Sequence, residues 1–129
     1  MIIVAGPRIA PESLPREDGI EIRGLVPDLP QHFAACDLAL VQGGLTTCME
    51  LAAARTPFLY FPLRKHFEQN FHVRYRLERY GAGRAMDYAE TRPEVLAEAM
   101  VAELRRAAAP RPVESDGARR AARILAELI

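Results

Sequence analysis

The chain has 129 residues, 50% of them hydrophobic, so it is long enough for one domain with a sizeable core. Its 17 basic residues balance 17 acidic residues, which leaves a formal net charge of zero. This balance excludes a strong net field that would attract nucleic acid or an acidic membrane surface. We expect no nucleic-acid partner, and an anionic ligand would have to be held locally.

The first residues and the cysteines indicate the compartment. The opening "MIIVAGP" has no basic region and is far shorter than the roughly 18 apolar residues that span a bilayer. Cys36 and Cys48 lack a CxxC spacing, which predicts buried free thiols in a reducing compartment. We expect a soluble, cytoplasmic protein that meets a membrane only through an acceptor or a partner.

Several short motifs are absent from the sequence. It contains no GxSxG, GxxxxGK[ST] or GxGxxG, which disfavours hydrolases, nucleoside triphosphatases and dehydrogenases. Its three histidines have no matching cysteine or carboxylate spacing. We therefore expect no metal site and no cofactor.

Most of the chain alternates short apolar runs with stretches of helical composition. The runs that predict strands are "MIIVAG", "IEIRGLV" from Ile20, "DLALVQ" from Asp37, "PFLYFP" from Pro57 and "AGRAM" from Ala82. The stretches that predict helices are "DLPQHFAAC" from Asp28, "TTCMELAAAR" from Thr46 and "HFEQNFHVRYRLERYG" from His66. Runs that are apolar on consecutive residues suit strands covered on both faces. The pattern predicts an α/β fold with a doubly wound parallel sheet.

Helical signals dominate the last third of the chain. Thr91 and Glu94 have the spacing of a capping box, and Pro93 suits the first turn of a helix, which we expect to continue through about Ala108. The segment "APRPVESDG" breaks this pattern as a proline-rich linker. The segment "ARRAARILAELI" then predicts a final amphipathic helix over about 117–129.

The stretch "VQGGLTTCMEL" lies where the third predicted strand turns into a helix. Ligands collect at the carboxyl ends of strands in an open parallel sheet. Gly43 and Gly44 lack a Cβ, so backbone N–H groups at the start of the helix could cradle a phosphate. Thr46 and Thr47 add hydroxyl donors, and Glu50 could accept from a sugar or ribose hydroxyl. A second interpretation stays open, in which the glycines form a simple turn and a threonine is an N-cap.

A second candidate segment, "PLRKHFEQNFHV" over residues 62–73, follows the next predicted strand at the same end of the sheet. The side chains there that could read sugar hydroxyls are His66, Glu68, Gln69 and Asn70. Arg64 and Lys65 could offset phosphate charge. The alternative is that His66 caps a helix and the charges form a solvated face.

Two segments together resemble the carboxyl-terminal domain of the GT-B glycosyltransferases. They are "DLALVQGGLTTCMELAAARTPFLYFPL" and "HFEQNFHVRYRLERYGAGRAM". The resemblance rests on order: a small-residue turn after a strand, a Glu six positions after the last glycine, a Pro-flanked strand, a Gln-containing segment and Gly-Ala-Gly. The likeness is nearest to the peptidoglycan N-acetylglucosaminyltransferase-like family, with relatives among the macrolide and glucuronosyl transferases.

The resemblance implies a Rossmann-like domain with a site for a nucleotide-sugar donor, usually a UDP-sugar. By this resemblance, the two glycines and Thr47 would hold the diphosphate, and Glu50 would bond the ribose hydroxyls. Gln69 and Asn70 would read the donor sugar, and the backbone near Val26 would contact the base.

The chain departs from the family pattern in several respects. Gln42 stands where many members have His, and "HFEQN" stands where some have an Asp–Gln pair. The sequence enters the fold at what resembles the second strand, so the first strand, which is central in the usual order, is expected to be lacking. GT-B enzymes carry the acceptor site, and usually the catalytic base, on an amino-terminal domain. We therefore assign no catalytic residue.

We expect residues 1–129 to be the donor-binding half of a glycosyltransferase. It would supply a hexosyl or N-acetylhexosaminyl group to an acceptor bound by another domain or chain, and would be inactive alone. An incomplete sheet exposes apolar surface and strand edges, so an acceptor-domain partner or self-association is expected. The alternative is a non-catalytic α/β binding or interaction module that keeps the fold without turnover.

Overall fold

The computed structural model describes residues 1–106 and 110–128, and it has the predicted alternation of strands and helices. Its strands are β1 (Ile2–Val4), β2 (Glu21–Arg23), β3 (Ala39–Gln42), β4 (Phe58–Phe61) and β5 (Arg84–Ala85). Its α-helices are α1 (Leu29–Ala35), α2 (Leu45–Ala54), α3 (Arg74–Tyr80), α4 (Pro93–Leu104) and α5 (Gly117–Ala126). A 3-10 helix spans Pro11–Ser13, and a π-helix spans Glu68–Val73. The α/β fold class is confirmed.

The strands are parallel, as predicted, but they are divided between two small sheets. One sheet has the order β1-β2, with Ile3 opposite Ile22. The other has the order β3-β4-β5, with Leu40 opposite Leu59. A doubly wound sheet of order 3-2-1-4-5-6 divides in this way when strand 1 is lacking. The division between β1 and β3 therefore agrees with the expected lack of the first strand.

The three-stranded sheet is covered on both faces, and β4 shows this most clearly. Phe58 and Tyr60 are buried in a cluster with side chains of α1, α2 and α3. The residue between them, Leu59, points to the other face and packs against Ala99 of α4 and against Met86, which follows β5. Because successive side chains of a strand alternate between faces, a doubly covered strand has to be apolar at every position.

Two turns close the core at the amino ends of β4 and β5. The hydroxyl of Thr56 donates to the Phe33 carbonyl at 2.6 Å, which ties the end of α1 to the start of β4. Gly83 has φ of +65°, and a Cβ there would overlap the Phe58 ring. Only glycine fits this position, since both the backbone conformation and the close approach exclude a side chain.

The predicted capping box of α4 is wrong. The N-cap is Arg92, without a side-chain cap, and the Thr91 hydroxyl donates instead to the Asp87 carbonyl at 2.6 Å. Threonine hydroxyls readily donate to backbone carbonyls of the preceding turn, and the Thr91 hydroxyl does so here instead of capping α4. Pro93 does begin the helix, as predicted. The helix ends at Leu104, and the predicted end near Ala108 lies outside the described residues.

The carboxyl-terminal segment forms the predicted amphipathic helix, α5, but none of its side chains is buried. Ile124, Leu125 and Leu128 are exposed by 59%, 61% and 77%. The predicted final residue of this helix, Ile129, lies outside the described residues. Within residues 1–106 and 110–128, no helix has both the length and the hydropathy needed to cross a membrane.

Candidate functional site

The glycine turn, Gly43 and Gly44, joins the carboxyl end of β3 to α2. The Gly43 N–H donates to the Phe61 carbonyl at 3.3 Å, and the Gly44 N–H donates back to the Gln42 carbonyl at 2.8 Å. A Cβ on Gly43 would lie 3.1 Å from the Cα of Pro62, which is closer than side-chain carbons normally approach. The absence of a side chain therefore lets the carboxyl ends of β3 and β4 meet.

Helix α2 begins with unpaired backbone donors that point out of its first turn. Its N-cap is Gly44, and its first internal bond runs from the Cys48 N–H to the Gly44 carbonyl at 3.0 Å. Within the described part of the chain, the N–H groups of residues 45–47 have no acceptor. No side chain caps the helix, so the interpretation of a threonine as N-cap is wrong. Unpaired N–H groups and the positive end of the helix dipole favour an anion here.

Three polar side chains of α2 accompany these donors. Thr46 is exposed, while Thr47 and Glu50 are half-buried. In the regions that the structure describes, none of the three makes a side-chain hydrogen bond. Their hydroxyl and carboxylate groups are therefore free to bind a ligand at the first turn of the helix.

The loop of residues 62–66 lies beside the glycine turn and is held by two amide side chains. The Gln69 Oε1 accepts from the Leu63 N–H at 2.8 Å. The Asn70 Nδ2 donates to the Leu63 carbonyl at 2.7 Å and to the His66 carbonyl at 2.8 Å. Gln69 is buried, Asn70 is half-buried, and the His66 side chain is exposed. The segment predicted as an ordinary helix is thus a π-helix at the residues that grip this loop.

The predicted site residues other than Val26 lie at or after the carboxyl ends of β3 and β4 in the three-stranded sheet. Val26 is half-buried in the loop after β2, which belongs to the two-stranded sheet. Gln42, at the end of β3, has an exposed side chain, and its carbonyl receives the Gly44 N–H. The second candidate segment of the sequence includes Pro62 and Leu63, but the pattern assigned neither residue a role. The only signal for them was the proline that ends the β4 run.

The titratable groups under the glycine turn are not nucleophiles at neutral pH. Burial raises the pKa of the Cys48 thiol from 9.0 to about 11, and its Sγ donates to the Gln42 carbonyl at 3.9 Å. Burial is also the largest cause that raises the pKa of the Tyr60 hydroxyl. The predicted free thiols are present, with Cys48 buried and Cys36 half-buried. A protonated, buried thiol is chemically inert, so Cys48 has a packing role.

Two cavities among the described residues are lined by side chains away from the glycine turn. A small cavity of about 30 Å³ lies at the opposite edge of the sheet, where Arg55, Thr56 and Gly83 contribute to its wall. It has room for about one water molecule, so it is too small for a nucleotide.

Comparisons with known proteins show the family of the chain. Residues 11–128 match the model of the glycosyltransferase family 28 C-terminal domain. The sequence is 38% identical to an uncharacterized glycosyltransferase of Methanosarcina acetivorans over 94 residues. This alignment covers 72% of the chain and 24% of that relative. The sequence is also 34% identical to an uncharacterized glycosyltransferase of Methanopyrus kandleri over 109 residues. This second alignment covers 84% of the chain and 31% of that relative.

A shorter match concerns a named N-acetylglucosamine transferase. The sequence is 44% identical to a Frankia casuarinae protein over 43 residues. This alignment covers 33% of the chain and 11% of that protein. That protein is named UDP-N-acetylglucosamine–N-acetylmuramyl-(pentapeptide) pyrophosphoryl-undecaprenol N-acetylglucosamine transferase. The chain spans about a quarter to a third of the length of the glycosyltransferase relatives that it matches over most of its own length.

Proposed function

The chain belongs to the family of glycosyltransferase family 28 C-terminal domains, and on that basis we propose that residues 1–129 bind the nucleoside-diphosphate sugar donor of a glycosyl transfer. The donor is a UDP-sugar, and the group transferred is a hexose or an N-acetylhexosamine. The name of the Frankia casuarinae relative, which includes UDP-N-acetylglucosamine, supports this donor class.

The observation that carries the proposal is the set of unpaired donors at the start of α2. The N–H groups of residues 45–47 and the half-buried hydroxyl of Thr47 belong to the first turn of α2, directly after the glycine turn. A diphosphate has several acceptor oxygens and negative charge, which these donors and the helix dipole would satisfy together. Because Gly44 has no atom within 4 Å of a notional Cβ, the space above the turn is open to a ligand.

The remaining contacts follow from the positions of the neighbouring polar groups. Glu50 lies one turn into α2, and its carboxylate binds the ribose hydroxyls. Gln69 and Asn70 each have amide atoms not used by the loop, and these atoms contact the donor sugar together with the exposed His66. The base lies toward the backbone at Val26.

In this account the domain promotes transfer by stabilising the leaving group. As the glycosidic bond to the diphosphate breaks, negative charge grows on the phosphate oxygens. Fixed N–H donors that already point at those oxygens stabilise this charge without reorganising. The acceptor and the catalytic base belong to another domain or chain, so residues 1–129 alone do not transfer sugar.

A partner for this domain is supported by its exposed apolar side chains. Helix α5 has no buried residue, and Phe67, Phe71 and Tyr75 are exposed by 66%, 62% and 69% on the helical segment beside the site. Exposed apolar surface of this kind usually marks an interface. The surfaces fit an acceptor-binding partner or a second copy of the chain.

Isothermal titration calorimetry with UDP, UDP-sugars and uridine tests the proposal. We expect saturable heats with UDP and UDP-sugars and weaker binding of uridine, because uridine lacks the diphosphate. Absence of binding at millimolar UDP and UDP-sugars would contradict the proposal and favour a non-catalytic interaction module on the same fold.

A further inference from the structure

The amide side chains of Gln69 and Asn70 hold both polar groups of one backbone residue. The Gln69 Oε1 accepts the Leu63 N–H at 2.8 Å, and the Asn70 Nδ2 donates to the Leu63 carbonyl at 2.7 Å. The second Nδ2 bond of Asn70, to the His66 carbonyl at 2.8 Å, holds the other end of the same loop. We call these three bonds the amide latch.

The latch is built into the core side of the π-helix. Gln69 is only 7% exposed, and a buried amide without hydrogen bonds would be costly. Four residues after Gln69, Val73 is fully buried against the core of the sheet. π-helical turns are rare and occur frequently at functional sites. The buried side of the π-helix therefore supports the latch, and the π-helical backbone places two adjacent amide side chains against one loop.

The loop held by the latch contacts the glycine turn. Pro62 begins the loop, and its Cα lies 3.1 Å from where a Cβ of Gly43 would be. Arg64 and Lys65 follow, both exposed, and in the described chain neither forms an ion pair. The latch thus holds the backbone that carries these two cations, two and three residues after the contact of Pro62 with the glycine turn.

We propose that Gln69 and Asn70 are positioning residues that hold the loop of residues 62–66, with Arg64 and Lys65, against the glycine turn, and thereby strengthen binding of the diphosphate. This role rests on the proposed function and adds to a contact with the donor sugar. Since the latch uses the Oε1 of Gln69 and the Nδ2 of Asn70, the sugar meets the Nε2 of Gln69 and the Oδ1 of Asn70.

Three substitutions separate positioning from sugar contact. Gln69→Glu keeps an acceptor for the Leu63 N–H but replaces the Nε2 donor with a carboxylate oxygen, so it preserves this latch bond and alters the sugar contact. Gln69→Met has a similar volume and no hydrogen bond, so it removes both. Asn70→Asp keeps an acceptor for the sugar but places carboxylate oxygens against two carbonyls, so it breaks the latch from the other side.

The first measurement needs no ligand. Hydrogen exchange of the Leu63 amide, followed by NMR, should be slow in the wild-type chain and in Gln69→Glu, and roughly tenfold or more faster in Gln69→Met. Unfolding curves of the same variants establish that the fold is retained. Equal Leu63 exchange in the wild type and Gln69→Met would overturn the latch.

The second measurement compares UDP with a UDP-sugar at low and high salt. Gln69→Met and Asn70→Asp should weaken both ligands by a similar factor, about tenfold, and reduce the salt dependence of UDP affinity, because the cations are no longer held at the phosphates. Gln69→Glu, which keeps the Leu63 bond, should weaken the UDP-sugar by a larger factor than UDP. Unchanged UDP affinity and salt dependence in both latch-breaking variants would overturn the positioning role. Absence of UDP binding by the wild type would overturn the proposed function, and Leu63 exchange would still decide whether the latch exists.

Discussion

Gly43 lies against Pro62 so closely that a Cβ at Gly43 would be 3.1 Å from the Pro62 Cα. This contact joins the two loops that follow β3 and β4, and it depends on a residue without a side chain. Gly44, the next residue, has nothing within 4 Å of the equivalent position and an ordinary φ of −70°. The two glycines therefore have different roles, one in packing and one in access to the turn.

Alanine substitutions should separate these two roles. Gly43→Ala should lower the free energy of unfolding by about 1 to 3 kcal/mol, because backbone atoms of Pro62 have to move. Gly44→Ala should cost about 1 kcal/mol or less, as an N-cap change, yet weaken UDP binding by placing a methyl group in the ligand space. Urea unfolding and calorimetry measure the two effects. An equal loss of stability in both variants would show that the Pro62 contact does not matter.

Thr47 and Glu50 should affect different parts of the nucleotide. Thr47→Val should weaken UDP and pyrophosphate by about 1.5 to 3 kcal/mol, the value of a hydrogen bond to a charged group, and spare uridine. Glu50→Gln should weaken UDP and uridine and spare pyrophosphate, because it removes a ribose contact. Competition titrations with the three ligands compare the variants. The same pattern of losses in both variants would contradict this division.

The buried thiol of Cys48 makes a pH-dependent contribution to stability. The pKa of this thiol is 9.0 without burial and about 11 in the fold, so the unfolded chain loses its proton first as the pH rises. Stability from this group is complete below about pH 9 and falls between pH 9 and 11. Urea unfolding across this range should show a smaller decline for Cys48→Ala than for the wild type. Parallel declines in the two proteins would be inconsistent with the shifted pKa.

The exposed apolar face of α5 should promote association. We expect the chain to dimerise or aggregate at micromolar concentration, and Leu125→Gln to reduce this association, because the substitution removes apolar surface from the exposed face. Arg123→Gln, on the opposite face of the helix, is the matched control and should change association little. Light scattering after size exclusion measures both. A monodisperse, cooperatively melting wild-type monomer would rule out this behaviour.

The sequence was sufficient for the fold class because the strongest pattern reflects burial on both faces. The apolar run of β4 places Phe58 and Tyr60 on one face of the sheet and Leu59 on the other, and the structure has helices on both. The glycine turn was also recognisable, because two residues without side chains between a strand and a helix have few other uses.

The details that the sequence did not predict depend on tertiary contacts. Local spacing indicated a capping box at Thr91, but in the structure the Thr91 hydroxyl donates to the Asp87 carbonyl in the preceding turn. The helical composition after His66 gave no sign of a π-helix, because Gln69 and Asn70 bond to Leu63, which precedes the helix and is fixed only by the folded loop. A sequence pattern shows periodicity along one element, whereas these bonds join two different parts of the chain.

The central claim is that a nucleoside diphosphate binds at the start of α2, and an NMR titration of the ¹⁵N-labelled chain with UDP tests it most directly. We predict saturable shifts that are largest for the amides of Gly43, Gly44 and residues 45–47, since these N–H groups meet the phosphate oxygens. Uridine alone should shift these amides much less. No saturable change at millimolar UDP, or changes confined to the opposite edge of the sheet around Gly81 and Gly83, would contradict the account.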